Sequence, residues 1–317
     1  MKVFILSEDV PSTQPKWICD TLRDEFTTNC RKTIPKIIIT SSPKHADIIW
    51  LLSAWRYTQI DMELLKTKYV VTTIHNVDFD RYYANADMYK MIDSFTDKYH
   101  TLCQNSRNDL RKITSKDIVI CNFWINTQTF YTIPRNSLRS KYNLSTSSYI
   151  VGSFQRDSNE TDLTQPKMSK GPDIFVRIVS DMLQTTPNLL VLLTGYNRTY
   201  IINSLKNANV PYIYLENVSN ATLNELYSCL DLYIVASRNE GGPRAIMECA
   251  ATATPIISTD VGIADTILPT ASIYKINHLV QSYPAAVKNA SLLSTISTIT
   301  TTINKYSLDS YLRQLVL

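Results

Sequence analysis

The stretch Ser237-RNEGGPRAIMECAATATPIISTDVGIADTIL-Pro269 decides the fold. It follows Leu232–Ala236, a short run of branched and aromatic residues that reads as a buried strand. Gly241 and Gly242 interrupt the run, and Pro243 suits the first turn of a helix because its missing N–H is not needed there. Pro243–Ala251 then reads as a helix and Pro255–Thr259 as the next strand. Strand, helix and strand in this order build a parallel sheet, since parallel neighbours need a crossover.

The same alternation extends outward. Upstream lie strand Tyr149–Phe154, helix Pro172–Gln184, strand Leu189–Leu193, helix Arg198–Ala208, strand Tyr212–Leu215 and helix Ala221–Cys229. In the first half the predicted strands are Val3–Leu6, Lys36–Thr40, Ile48–Leu52, Tyr69–Thr73, Thr101–Gln104 and Ile118–Cys121. Helices are expected over Pro15–Phe26, Ala84–Phe95 and Ser106–Thr114, the last capped by Ser106. Tyr131–Ser148, with Pro134 and a polar Asn, Ser and Thr cluster, breaks the pattern as a linker. The chain thus reads as two Rossmann-like, doubly wound α/β domains, with a site expected at the carboxyl ends of the strands.

Size agrees, because 317 residues exceed what one hydrophobic core usually absorbs. With 44% hydrophobic residues and a net charge of +4, the chain has material for two cores and lacks the charge excess of a disordered protein. The apolar runs Asp47-IIWLLSAW-Arg56 and Asn188-LLVLLTG-Tyr196 are too short to span a bilayer. MKVFILSEDV reads as a first strand and not as a secretory signal, so a cytoplasmic chain is expected. Six scattered cysteines without a C-x-x-C pair read as buried free thiols, and four dispersed histidines suggest no metal site.

Glycine and charge separate the halves. All six glycines lie beyond residue 150, whereas residues 1–150 hold 20 Lys and Arg against 15 Asp and Glu. Much of the surplus falls in 101–150, where Arg107, Arg111 and Lys112 form either a solvated helix face or a contact for an anionic acceptor or membrane surface.

Gly171, Gly195, Gly241, Gly242 and Gly262 all adjoin a predicted strand end or helix start. Glycine there lets backbone approach a ligand, and the free N–H groups of a helix start favour an anion. Glu240 stands at the loop edge, and Glu248 lies five residues past Pro243, about 7.5 Å along the axis. The pair could face the two ends of a bound nucleoside diphosphate. Equally, Glu240 could cap the helix and Glu248 could be a solvated surface carboxylate.

The region 237–269 resembles the Glu-x7-Glu segment of the family-four retaining glycosyltransferases, which have a GT-B fold of two Rossmann-like domains facing across a cleft. Ile118-VICNFWINTQTF-Tyr131 resembles that family's strand and loop at the end of its acceptor domain. Val151-GSFQR-Asp157 with Lys170-GPDIF-Val176 resembles its basic pair around the donor diphosphate. Tyr212-IYLENVSNATLNELYSCLDLYIVAS-Arg238 resembles its base-contacting loop and the elements leading to the two glutamates. The resemblance covers nearly all of 118–269 in order.

What it implies is an acceptor-side domain over 1–147, a nucleotide-sugar domain over 148–302, and a C-terminal helix over 303–317 that returns to the first domain. Arg156 and Lys170 would neutralise the diphosphate leaving group, and Glu240 would bind sugar hydroxyls. Gly241, Gly242, Pro243 and Arg244 would line the sugar and phosphate, and Glu248 would accept from both ribose hydroxyls. Leu215, Glu216 and Val218 would touch the base, while His75 either reaches the donor sugar or is a structural residue. The implied activity is a retaining, metal-independent transfer from a UDP- or GDP-sugar, without any other cofactor, to a hydroxyl of a glycan or lipid-linked acceptor. A nucleotide-sugar-binding protein without catalysis, or a sugar-nucleotide epimerase, are the alternatives. The sequence departs from the family in three places. Ser7-EDVPSTQPK-Trp17 replaces a glycine-bearing turn, thirteen residues separate Arg156 from Lys170, with Lys167 a competing phosphate ligand, and VGIAD stands where Gly-Gly-x-Pro-Glu is usual, which touches Gly262 and Asp265.

Overall fold

The branched and aromatic runs form strands, and helices such as Ala86–Phe95 and Pro172–Thr185 pack against the sheets they build. The computed structural model describes residues 1–9, 18–290 and 311, and the chain forms two compact units. The first holds Met1–Phe123 together with Tyr311. Its strands are β1 (Lys2–Leu6), β2 (Ile38–Ile39), β3 (Ile48–Leu51), β4 (Tyr69–Thr73), β5 (Lys98–Thr101) and β6 (Asp117–Ile120). They lie in the order β2-β1-β3-β4-β5-β6, and every pair is parallel. Leu6, Ile49, Leu51 and Val70 pack with Ile92 and Phe95 of helix Ala86–Phe95. Each such side chain contributes roughly 1.5–3 kcal/mol through burial.

Two expectations in this unit are corrected. The fifth strand is Lys98–Thr101 rather than Thr101–Gln104, because ladder pairing to β4 and β6 outweighs the polar Lys98 and His100. The following helix is Gln104–Leu110, and its cap is Cys103, not Ser106. Cys103 has extended backbone, and its Sγ accepts from Ser106 N at 3.4 Å, which places Ser106 inside the first turn.

At the carboxyl ends of β3, β4 and β5 a polar network is sealed in the core. Trp50 Nε1 donates to Thr73 Oγ1 at 2.8 Å, and His100 lies 3.0 Å from that hydroxyl through Nδ1 and 2.7 Å from Cys121 O through Nε2. The carbonyl can only accept, so Nε2 carries the proton and Nδ1 accepts from Thr73. Burial pushes the His100 pKa down to about 4. Of the segment 303–317, Tyr311 is described; it is buried, with its ring centroid 6.4 Å from those of Phe26 and Trp50. The rest of that segment lies outside the described residues, as do residues 10–17 of the first strand–helix turn.

The second unit begins at Trp124. Its strands are β7 (Tyr149–Phe154), β8 (Leu189–Thr194), β9 (Tyr212–Leu215), β10 (Leu232–Val235), β11 (Ile256–Thr259) and β12 (Ile273–Tyr274), in the order β12-β11-β10-β7-β8-β9 and all parallel. Helix Pro172–Thr185 buries Ile174, Phe175, Ile178, Val179 and Met182, a stripe at helical spacing, against Val151, Val191, Leu193 and Ile234. The stretch 131–148, read as a linker, holds helix Arg135–Lys141. Its buried Arg139 pairs with Asp231 at 2.6 Å and donates to Cys229 O, which ties the stretch into this unit. All six cysteines are free and buried. Among the described residues no helix is long and apolar enough to cross a membrane.

Candidate active site

Two loops of the second unit are stitched together at the carboxyl ends of β7 and β10. Arg238 N and Asn239 N donate to Ser169 O at 2.8 and 3.2 Å, and the Arg238 guanidinium takes both oxygens of Asp173 at 2.7 and 2.6 Å. Gly171 sits between them with φ +60°, and a Cβ there would lie 1.9 Å from Ala236 O. Only glycine permits that approach. From β11, Thr259 Oγ1 donates to Ser237 O at 2.6 Å and fixes the start of the glutamate loop.

The stitching brings Lys170 and Glu240 together. Lys170 Nζ donates to Glu240 Oε1, and Ser237 Oγ donates to the same oxygen at 3.1 Å. Glu240 therefore does not cap the following helix. That helix is Arg244–Thr252, with Pro243 at its N-cap and no side chain capping it. Gly241, Gly242 and Pro243 form the approach to this start, and Gly262, with φ +58°, packs so closely that a Cβ would lie 2.6 Å from Gly241 O. An uncapped helix start beside a lysine is a positive field open to an anion.

Glu248 is buried, at 7% exposure, which excludes the solvated-surface reading. Tyr227 donates to its Oε2 at 2.8 Å and Arg244 Nε lies 3.3 Å from its Oε1. Each oxygen keeps a further lone pair. Burial and the adjacent Glu248 raise the Tyr227 pKa well above its ordinary value, so the phenol stays a donor. The ring packs among Phe154, Tyr233 and Phe130.

Arg156 faces Glu160 at 3.2 Å, and Lys167 lies 3.6 Å from the same carboxylate. Both cations flank the neck of the 157–169 insertion. That neck is closed by a Ser158–Pro166 bridge and by Lys167 N donating to Asp157 O at 2.7 Å. Under it, Asp157 and Arg198 form a fully buried ion pair at 3.1 Å. Burial drives the carboxyl pKa up and the guanidinium pKa down. Arg198 also donates to Ser153 O at 2.8 Å and Thr194 O at 2.7 Å, joining β7 to β8.

Leu215 ends β9, and Glu216 and Val218 follow in the loop before the Ser219-capped helix Asn220–Cys229. Asp265 lies in the short helix Ala264–Ile267. His75 belongs to the first unit, just past β4, where its Nε2 lies 3.0 Å from Leu52 O.

Residues 163–290 match the family described as Glycosyl transferases group 1, a span that contains Lys170, Glu240 and Glu248. The alpha-galactosylglucosyldiacylglycerol synthase of Streptococcus pneumoniae is 29% identical over 160 residues, which are 47% of this chain and 39% of that protein. The chain thus matches about two fifths of that relative's length. HepE of Anabaena, in a crystal with UDP-glucose, has a TM-score of 0.73 at 13% identity, covering 100% of this chain and 98% of its own. WaaG, a glycosyltransferase involved in lipopolysaccharide biosynthesis, has a TM-score of 0.68 at 12% identity, covering 100% of this chain and 99% of its own. The fold is GT-B.

In this GT-B chain, the resemblance had singled out Lys170, Glu240 and Glu248, and the structure sets Lys170 against Glu240 and buries Glu248. Tyr227, Ser237 and the Asp157–Arg198 pair could not be read from the sequence. Tyr227 is 21 residues from Glu248 on another helix, and Arg198 is 41 residues from Asp157, so the sequence places neither pair in contact.

Proposed function

We propose that the chain is a retaining glycosyltransferase of the family-four type, moving a sugar from a nucleoside diphosphate sugar to a hydroxyl group of a glycan or lipid-linked acceptor. The observation that carries this reading is the Lys170–Glu240 pair beside the uncapped start of helix Arg244–Thr252. The reading assigns the diphosphate to Lys170, Arg156 and the helix N–H groups, whose fixed positive charge stabilises the leaving group as its bond to the anomeric carbon breaks. Lys170 then turns from Glu240 to phosphate, and Glu240 is released to accept from sugar hydroxyls. Glu248, held by Tyr227, accepts from the ribose. The acceptor oxygen bonds to the anomeric carbon on the face the diphosphate leaves, and its proton passes to a donor phosphate oxygen. Leu215, Glu216 and Val218 are assigned to the base. The UDP-glucose held by HepE makes UDP-sugars the first donors to try.

The test separates the glutamates. Glu248→Ala should raise the donor KM about ten- to a hundred-fold with kcat nearly unchanged, since a charged hydrogen bond of roughly 1.5–3 kcal/mol is lost equally from ground and transition states. Glu240→Ala should mainly lower kcat while UDP binds nearly as before. Transfer should survive EDTA. Complete loss with chelator, restored by Mn²⁺, or two glutamate variants indistinguishable from wild type, would overturn the reading.

A further inference from the structure

The insertion after Arg156 is closed by its own backbone. Asn159 N donates to Gln165 O at 2.8 Å and Lys167 N to Asp157 O at 2.7 Å, while the buried Arg198 pins Asp157 from below. Two side-chain turns fix the tip: Asn159 Oδ1 accepts from Thr161 N at 3.1 Å, and Asp162 Oδ1 accepts from Thr164 N at 2.9 Å. These bonds hold the neck without help from charge. Yet Arg156 Nη2 and Lys167 Nζ converge on a single oxygen, Glu160 Oε1, at 3.2 and 3.6 Å. Both distances exceed the ~2.7–2.9 Å of a charge-assisted hydrogen bond. Side-chain exposure is 30% for Arg156 and 21% for Lys167, against 54% for Glu160, so the carboxylate is the wettest of the three. An exposed ion pair adds little to a hairpin already clasped by backbone bonds. Lys170 N donates to Lys167 O at 2.8 Å, which sets the lysine of the insertion one turn from the lysine that holds Glu240.

We propose that Lys167 is a further ligand for the phosphates of the donor, and that Glu160 holds Arg156 and Lys167 together only until a phosphate oxygen takes the place of its Oε1. Two cations converging on one anionic oxygen is the arrangement a phosphate oxygen needs, and a phosphate offers more charge and more acceptor oxygens than a carboxylate. Glu160, once displaced, turns to water at little cost because it is already half exposed. Charge on the diphosphate grows as its bond to the sugar breaks, so a cation added by the insertion acts where the leaving group forms. That the anion is a nucleoside diphosphate rests on the glycosyltransferase reading; the binding of a diphosphate as such does not.

The test is titration calorimetry of the full chain with UDP and with inorganic pyrophosphate, which carries the charge without a base; UDP decides where pyrophosphate binds too weakly to titrate. Lys167→Met should raise the Kd about tenfold, the effect of one lost charged contact, and Lys167→Arg should restore most of the affinity. Glu160→Gln should lower the Kd about threefold, because a competitor for the same cations is gone. A pair that merely braced the hairpin would move both variants alike, since either change breaks it. Opposite signs are the mark of displacement. Shifts of the same sign, no shift in either variant, or no binding of either ligand by wild type overturns the proposal. Opposite shifts in a chain without transfer activity would sink the glycosyltransferase reading and leave this one standing, whereas transfer activity with unshifted variants does the reverse.

Discussion

Tyr227 buries an entire phenol ring and delivers one hydrogen bond, to Glu248. Its contribution is positional, since a carboxylate held by a fixed donor loses little freedom when a ligand arrives. Tyr227→Phe should raise the KM for a UDP-sugar about five- to tenfold, the effect of roughly 1 kcal/mol, with kcat unchanged. Comparing UDP with 2′-deoxy-UDP checks the route: the penalty for losing the 2′-hydroxyl should be smaller in the variant. His100 offers a pH test. Its folded pKa, about 4, lies below the ordinary 6.5, so its contribution to stability is fully present above pH 6.5 and is lost as pH falls from 6.5 towards 4. The amount is on the order of 3 kcal/mol at about 1.4 kcal/mol per unit. Urea unfolding followed across that window should flatten in His100→Gln. Histidine protonation was invisible in the sequence because Trp50, Thr73, His100 and Cys121 come from three strands and the loop after β6.

Among the elements, strand β7 and strand β9 fall where the sequence puts them, because branched and aromatic side chains dominate YIVGSF and YIYL and suit a pleated sheet. The fifth strand was displaced by three residues because KYHT carries two polar side chains that only pairing on both sides makes tolerable. The turn at Gly171 shows the same dependence on context. Its position before a helix was legible, but the need for glycine comes from Ala236, 65 residues away. Gly171→Ala should cost more than about 2 kcal/mol, from the left-handed backbone and from the clash with Ala236 O, read as a drop in the urea midpoint. Gly242→Ala, at a position without positive φ, should be milder.

For the molecule as a whole, each unit has its own parallel sheet and its own core. Calorimetry should therefore resolve two transitions, and UDP at a hundred times its Kd should raise only the one belonging to the second unit, by about 2.7 kcal/mol of stability. A single transition shifted by UDP would show that the units unfold together. The two-sheet plan was legible because period and run length repeat in both halves. The unit boundary at Trp124 was not, because Pro134 and the polar cluster after it mark a local break, whereas Arg139 and Asp231 carry the assignment from afar.

The insertion after Arg156 has a consequence for how such a chain can be altered. Its two strands of backbone meet at Ser158 and Pro166, and residues 159–165 are exposed beyond that clasp. Lengthening a loop whose ends are already joined adds only about 0.6 kcal/mol per doubling. The tip is thus a graft point: a peptide tag or fluorophore placed between Leu163 and Thr164 would ride outside the sheet, reporting from close beside Arg156 and Lys167 without disturbing the strands that carry them.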